Sequence, residues 1–178
     1  MGSQIRMAPE SKAAREIVGP GITFTELLKY TEQETKRWKQ WFAAHPEALD
    51  RPCDVAKVGS IRGLLLHIFA TELHFAHTVL DLPQPDWQKL PAQTVDELFA
   101  LSEDALRKFL EFLDKAQPGD WDKMKDLGHG NLKASKRKIV AQALLHGIHH
   151  RGQLATLLRQ LGFDGTWIHD LILTDVMP

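Results

Sequence analysis

Residues 139–161 read IVAQALLHGIHHRGQLATLLRQL, a run with no proline, preceded by Ser135 as an N-cap candidate and followed by Gly162 as a stop. At 100° per residue, Ile139, Ala143, Leu154, Leu157 and Leu161 fall in one narrow stripe, so the run is predicted to be a helix with one buried face. His146 and His150 lie in or beside that stripe. Side chains at i and i+4 stack one turn apart, so both imidazoles can reach one metal ion. His149 is the rival partner for His146, but it projects about 60° to the other side, away from the stripe. Gln142 and Gln153 continue the polar edge above and below the pair. Histidines at such a margin are commonly hydrogen-bonded residues of the fold and nothing more. The pair reads as a metal site only if a third ligand comes from elsewhere, because an open catalytic site uses about three protein ligands.

The 178 residues suit one domain with a substantial core, and 43% hydrophobic with 25% charged residues is ordinary for a water-soluble globular chain. A net charge of −1 leaves no electrostatic footprint for nucleic acid or an anionic membrane. The longest nearly apolar run, 63–70, is too short to span a bilayer, and the first residues lack the apolar core of a signal peptide. Cys53 is the single cysteine, which excludes an internal disulfide and a cysteine-rich zinc cluster. The cytoplasm is the expected compartment. The unusual feature is nine histidines.

Outward from the first helix, residues 1–22 read as a loose arm and 23–178 as a single domain. Thr23 and Glu26 have capping-box form and open a helix over 24–44, with Leu27, Leu28, Thr31, Trp38 and Phe42 on its stripe. Glu34 falls close to that stripe, as a solvated edge residue or as a carboxylate aimed into a polar pocket. A breaker-rich loop covers 46–59, and Ser60 caps a helix from Ile61 to about Leu80. His67, Thr71, His74 and Thr78 form a polar strip beside its core side. His67 is placed as a third ligand would be in a bundle, where sites are built from facing helices. His74 is two turns away, about 10 Å along the axis, and is expected to line the same cavity rather than share the ion. Residues 81–93 form a crossing loop. Thr94 and Glu97 open a histidine-free helix that runs to about Ala116, and 120–134 are expected to be irregular, with a turn at Gly128-His129-Gly130-Asn131. Lys136-Arg137-Lys138 is expected to be solvated, and the tail from Phe163 could fold back over the bundle. Four amphipathic helices with almost no credible strand predict an all-α four-helix bundle, and its two long loops favour a crossover topology.

HGIHHRGQLATLLRQLG at 146–162 resembles the last-helix signature of the DinB/YfiT-like superfamily, and LLLHIFATELHFAHTVLDLP at 64–83 resembles its second-helix segment. The resemblance covers roughly 23–162. It implies a four-helix bundle, commonly dimeric, that binds a divalent metal through three histidines, matching His67, His146 and His150 here. Arg151 and Gln153 also belong to the motif. Arg151 projects away from the metal edge, which suits a helix-helix or subunit contact. Gly147 and Gly152 would let a neighbouring backbone approach closely.

Imidazole ligation suits zinc, nickel, iron or copper. Gly147 stands where an HExxH protease carries its glutamate base, so a general base must come from elsewhere. Glu34, Glu72, His74 and His149 are candidates, with Glu34 and His74 nearest by helical phase. Characterised members of the superfamily include transferases and isomerases that use low-molecular-weight thiols such as bacillithiol or mycothiol, while others are described only as metal-dependent hydrolases. The expectation is a metal-dependent enzyme acting on a small molecule, with thiol transfer ahead of hydrolysis. The competing expectation is a non-catalytic dimeric bundle whose metal is structural or vestigial.

Overall fold

The computed structural model describes residues 21–128 and 132–177. Most of the expected N-terminal arm, and His129, Gly130 and Asn131 of the expected turn, lie outside the described residues. Four long helices form the bundle: α1 (Phe24–Ala44), α2 (Ile61–Val79), α3 (Val95–Lys115) and α4 (Lys136–Gln160). Each begins where its capping chemistry directs. Thr23 with Glu26 and Thr94 with Glu97 close reciprocal capping boxes, and Ser60 and Ser135 accept from Gly63 N–H and Lys138 N–H.

α1 and α2 each pack on both α3 and α4, so consecutive helices α1 and α2 sit diagonally across the bundle. This is the crossover topology expected from the two long loops, with the 46–59 connection crossing the diagonal. Trp38, Phe42, Phe69, Phe99 and Phe109 fill the centre, each no more than 2% exposed. Burial of aromatic side chains on this scale is the main source of stability in such a bundle. No helix among the described residues is long and apolar enough to cross a membrane.

Two connections differ from the sequence expectation. The 120–134 segment is not wholly irregular, and the 46–59 loop also contains a short paired element. Antiparallel pairs join β1 (Pro52–Cys53) to β2 (Gly59–Ser60), and β3 (Met124–Asp126) to β4 (Lys133–Ser135). Strands of two or three residues are too short for period-two alternation to register in sequence. Lys136 is not solvated. It is 6% exposed, pairs with Asp81 at 2.8 Å and stands 5.5 Å from the centroid of the Phe112 ring. Hydrogen bonds from Lys125 and Lys136 hold the Asp81 carboxyl below the usual carboxylate range. Arg137 pairs at 2.7 Å with Asp122. Carboxylates from outside the helix thus offset the cations that the α4 dipole disfavours.

The tail does fold back. Tyr30 Oη donates to the His169 carbonyl at 2.6 Å, Trp41 Nε1 donates to the Asp164 carbonyl at 3.3 Å, and Trp167 packs on Trp38 with ring centroids 4.7 Å apart.

Candidate metal centre

The bundle brings His67 of α2 against His146 and His150 of α4. The Nε2 atoms of His67 and His146 are 3.1 Å apart, and one nitrogen from each of the three rings lies within 4.8 Å of the others. Ligands about 2.0–2.1 Å from a tetrahedral ion stand about 3.3 Å apart, so a modest closing of the third ring suffices. His150 is buried and the other two rings are half-buried. A hydrogen bond between two imidazoles would account for one of these contacts but not for the convergence of all three. The donor set, three imidazoles spaced for one ion, fits a divalent metal of the imidazole-preferring class.

The electrostatics favour the form a metal needs. Burial, followed by the charges of His150, His67, His149 and Arg151, pushes the His146 pKa down to about 4. Burial, followed by His150, lowers His67. Burial also lowers His150, opposed by its hydrogen bond to Gln153, with the His149 charge lowering it further. Neutral rings at physiological pH present lone pairs rather than protons to a cation.

The other expected residues lie elsewhere. His149 is exposed and lines a cleft of about 420 Å³ with Gln153, Gly152 and Asp54. The His74 ring lies beside Phe75 and Trp87, outside the three-histidine group. Glu34 is 2% exposed, not a solvated edge residue. It accepts from Trp167 Nε1 at 2.9 Å and bonds His169 Nδ1, both on the folded-back tail. With Tyr30, Arg151 and His169 it borders a cavity of about 150 Å³ on another face of α4. Burial raises the Glu34 pKa, but hydrogen bonds from His169 and Trp167 and the charges of His169 and Arg37 outweigh it, leaving the carboxyl below its ordinary value. Its contribution to stability is therefore fully present above the ordinary carboxylate range and is lost as pH falls through the lowered folded value. Glu34→Gln is expected to flatten the acid limb of a thermal-unfolding pH series relative to wild type. Identical limbs would remove Glu34 from the account of acid stability.

Glu72 and Arg151 form a buried ion pair at 3.0 Å joining α2 to α4. Arg151 also donates to Thr35 Oγ1 on α1 at 3.2 Å, and Ser102 Oγ on α3 donates to Glu72 at 2.9 Å. The helix-helix role expected for Arg151 is thus a four-helix polar knot. Gly147 serves this knot and not a neighbouring backbone: a Cβ there would lie 2.6 Å from both Arg151 Nη1 and Glu72 Oε1. Gly152 faces open space, and a Cβ added there would meet nothing among the described residues within 4 Å. The sequence carried one signal for the knot, because an interior helix glycine costs about 1 kcal/mol and calls for a packing reason.

Fold and site together define a helical bundle with a three-histidine group at the meeting of its second and fourth helices. The family model described as "DinB family" matches residues 19–174, and the chain belongs to the DinB family. Two crystal structures share its fold. A DinB-like protein from Bacillus cereus is 16% identical with a TM-score of 0.60, the match covering 80% of this chain and 95% of that one. A DinB-like protein from Bacillus subtilis, YjoA, is 20% identical with a TM-score of 0.58, covering 82% and 96%. No curated protein matches the chain.

Proposed function

We propose that His67, His146 and His150 hold one divalent ion, zinc, nickel or iron, and that the protein is a metal-dependent enzyme. The reaction class is transfer of a low-molecular-weight thiol to a small electrophile, with hydrolysis second. The observation that carries this reading is the convergence of three imidazoles with depressed pKa values from two helices. A divalent ion held by three neutral ligands keeps its full charge and would supply Lewis acidity, lowering the pKa of a bound water or thiol.

The chain's own residues divide the remaining work. The three rings bind, and Gln153 connects His150 to the 420 Å³ cleft along α4, where a small substrate could approach. His149 borders that cleft and is the nearest exposed imidazole in sequence for moving a proton. Glu72 is committed to Arg151 and Ser102, which argues against it as a base. Glu34 and His74 are the further proposals for catalysis, neither within the three-histidine group, and Glu34 is committed to Trp167 and His169 much as Glu72 is to its own partners. The proposed compartment is the cytoplasm, where low-molecular-weight thiols are kept reduced.

The test is metal analysis of tag-free protein, followed by a screen of thiols against monochlorobimane and of ester substrates, before and after chelation. Turnover that disappears with the metal and returns on its replacement supports the reading. A stably bound ion with no chemistry toward either substrate set favours the structural-metal alternative.

A second copy of this chain is the proposed partner. Leu145 and Ile148, on the outer side of α4, are 61% and 37% exposed. Exposed apolar side chains grouped on one helix face are interface chemistry. Leu145→Glu is expected to convert a dimer into a monomer in light scattering. A wild-type monomer would overturn the proposal.

A further inference from the structure

Gln153 lies three residues beyond His150, and its Oε1 is 2.7 Å from His150 Nδ1. With the amide so oriented, Oε1 accepts, which calls for the ring proton on Nδ1 and leaves Nε2 with a lone pair. We propose that Gln153 is the positioning residue of the metal centre: it locks His150 in the Nδ1–H tautomer and holds the ring so that Nε2 faces His67 and His146. This inference rests on the metal reading above.

Three features of the chain support the assignment. An imidazole in the opposite tautomer presents N–H where a lone pair is required, so a preset tautomer removes a cost from binding. His150 is buried at 9% exposure, so loss of this bond leaves Nδ1 dependent on whatever water reaches the cleft side. Gln153 is itself half-buried and lines the 420 Å³ cleft, which places one amide between the ion's ligand and the space a substrate would enter. A ligand in the cleft that hydrogen-bonds the Gln153 amide therefore touches the group that orients His150.

The experiment has two readouts on wild type, Gln153→Ala and Gln153→Glu. The first is the His150 tautomer in metal-free protein, read from ring nitrogen shifts by NMR. The second is zinc affinity by chelator competition, with circular dichroism to establish that each variant is folded. Wild type is expected to show Nδ1–H. Gln153→Ala is expected to mix tautomers and weaken zinc binding by about 10–100-fold, the range for loss of an outer hydrogen-bond partner. Gln153→Glu is expected to restore the Nδ1–H tautomer and wild-type affinity or better. An Nε2–H ring in wild type, or unchanged tautomer and affinity in Gln153→Ala, overturns the proposal. If wild type binds no zinc, the metal reading fails, while the tautomer measurement still decides whether Gln153 sets the ring.

Discussion

Replacing Arg151 by alanine is expected to destabilise the protein by about 3–5 kcal/mol, the range for removing one partner of a buried ion pair. Glu72 would keep its carboxylate at 4% exposure with the Ser102 hydroxyl as its remaining hydrogen-bond partner. Thr35 would lose its guanidinium donor as well. The expected loss is a large fraction of the roughly 5–15 kcal/mol that a domain possesses, so Arg151→Ala should unfold at far lower urea, with the slope unchanged. Charge, not bulk, is the cause. The double variant Glu72→Gln/Arg151→Met should accordingly recover much of the loss, because it removes both charges together. Gly147→Ala is expected to cost about 1–3 kcal/mol by pushing a methyl into the same pair. A loss under about 1 kcal/mol for Arg151→Ala would place it among ordinary surface changes and contradict the knot.

Removing any one of His67, His146 and His150 is expected to have the largest effect on metal binding. The three ring centroids stand 4.4–5.0 Å apart in every pairing, with His146 Nε2 against His67 Nε2, so His146→Ala removes one corner of a triangle. The expected loss of affinity exceeds the roughly 10–100-fold attributed to outer partners. His67→Ala and His150→Ala should behave alike, while His74→Ala and His149→Ala should retain the ion. Chelator competition on the five variants checks this, with circular dichroism as the control for folding. A loss in His149→Ala with the ion retained in His150→Ala would revive the rival pairing on α4.

How far the sequence alone reveals these features varies from residue to residue. The four helices are readable because their capping residues and apolar stripes are local, and Thr23, Ser60, Thr94 and Ser135 sit where the helices begin. The three histidines are readable because i,i+4 spacing fixes two of them and the polar strip on α2 offers the third. The surroundings of Glu34 are not. Its partners Trp167 and His169 are more than 130 residues away on a tail without periodicity, and no helical phase connects them. Lys136 reads as solvated for the same reason, since the Asp81 that receives it lies 55 residues earlier at the end of α2. Gly147 is intermediate. Its presence inside a helix asks for an explanation, yet only the geometry of Arg151 and Glu72 supplies one.

Whether rings from α2 and α4 share a single cation is tested most directly by X-ray absorption at the metal edge of tag-free, zinc-loaded protein, which counts imidazole ligands. One zinc per chain is expected, with three imidazoles, counted from the outer-shell scattering of their rings, and at least one oxygen ligand from solvent. Fewer than three imidazoles, or zinc that washes away at protein concentrations well above any specific affinity, would contradict the three-histidine centre.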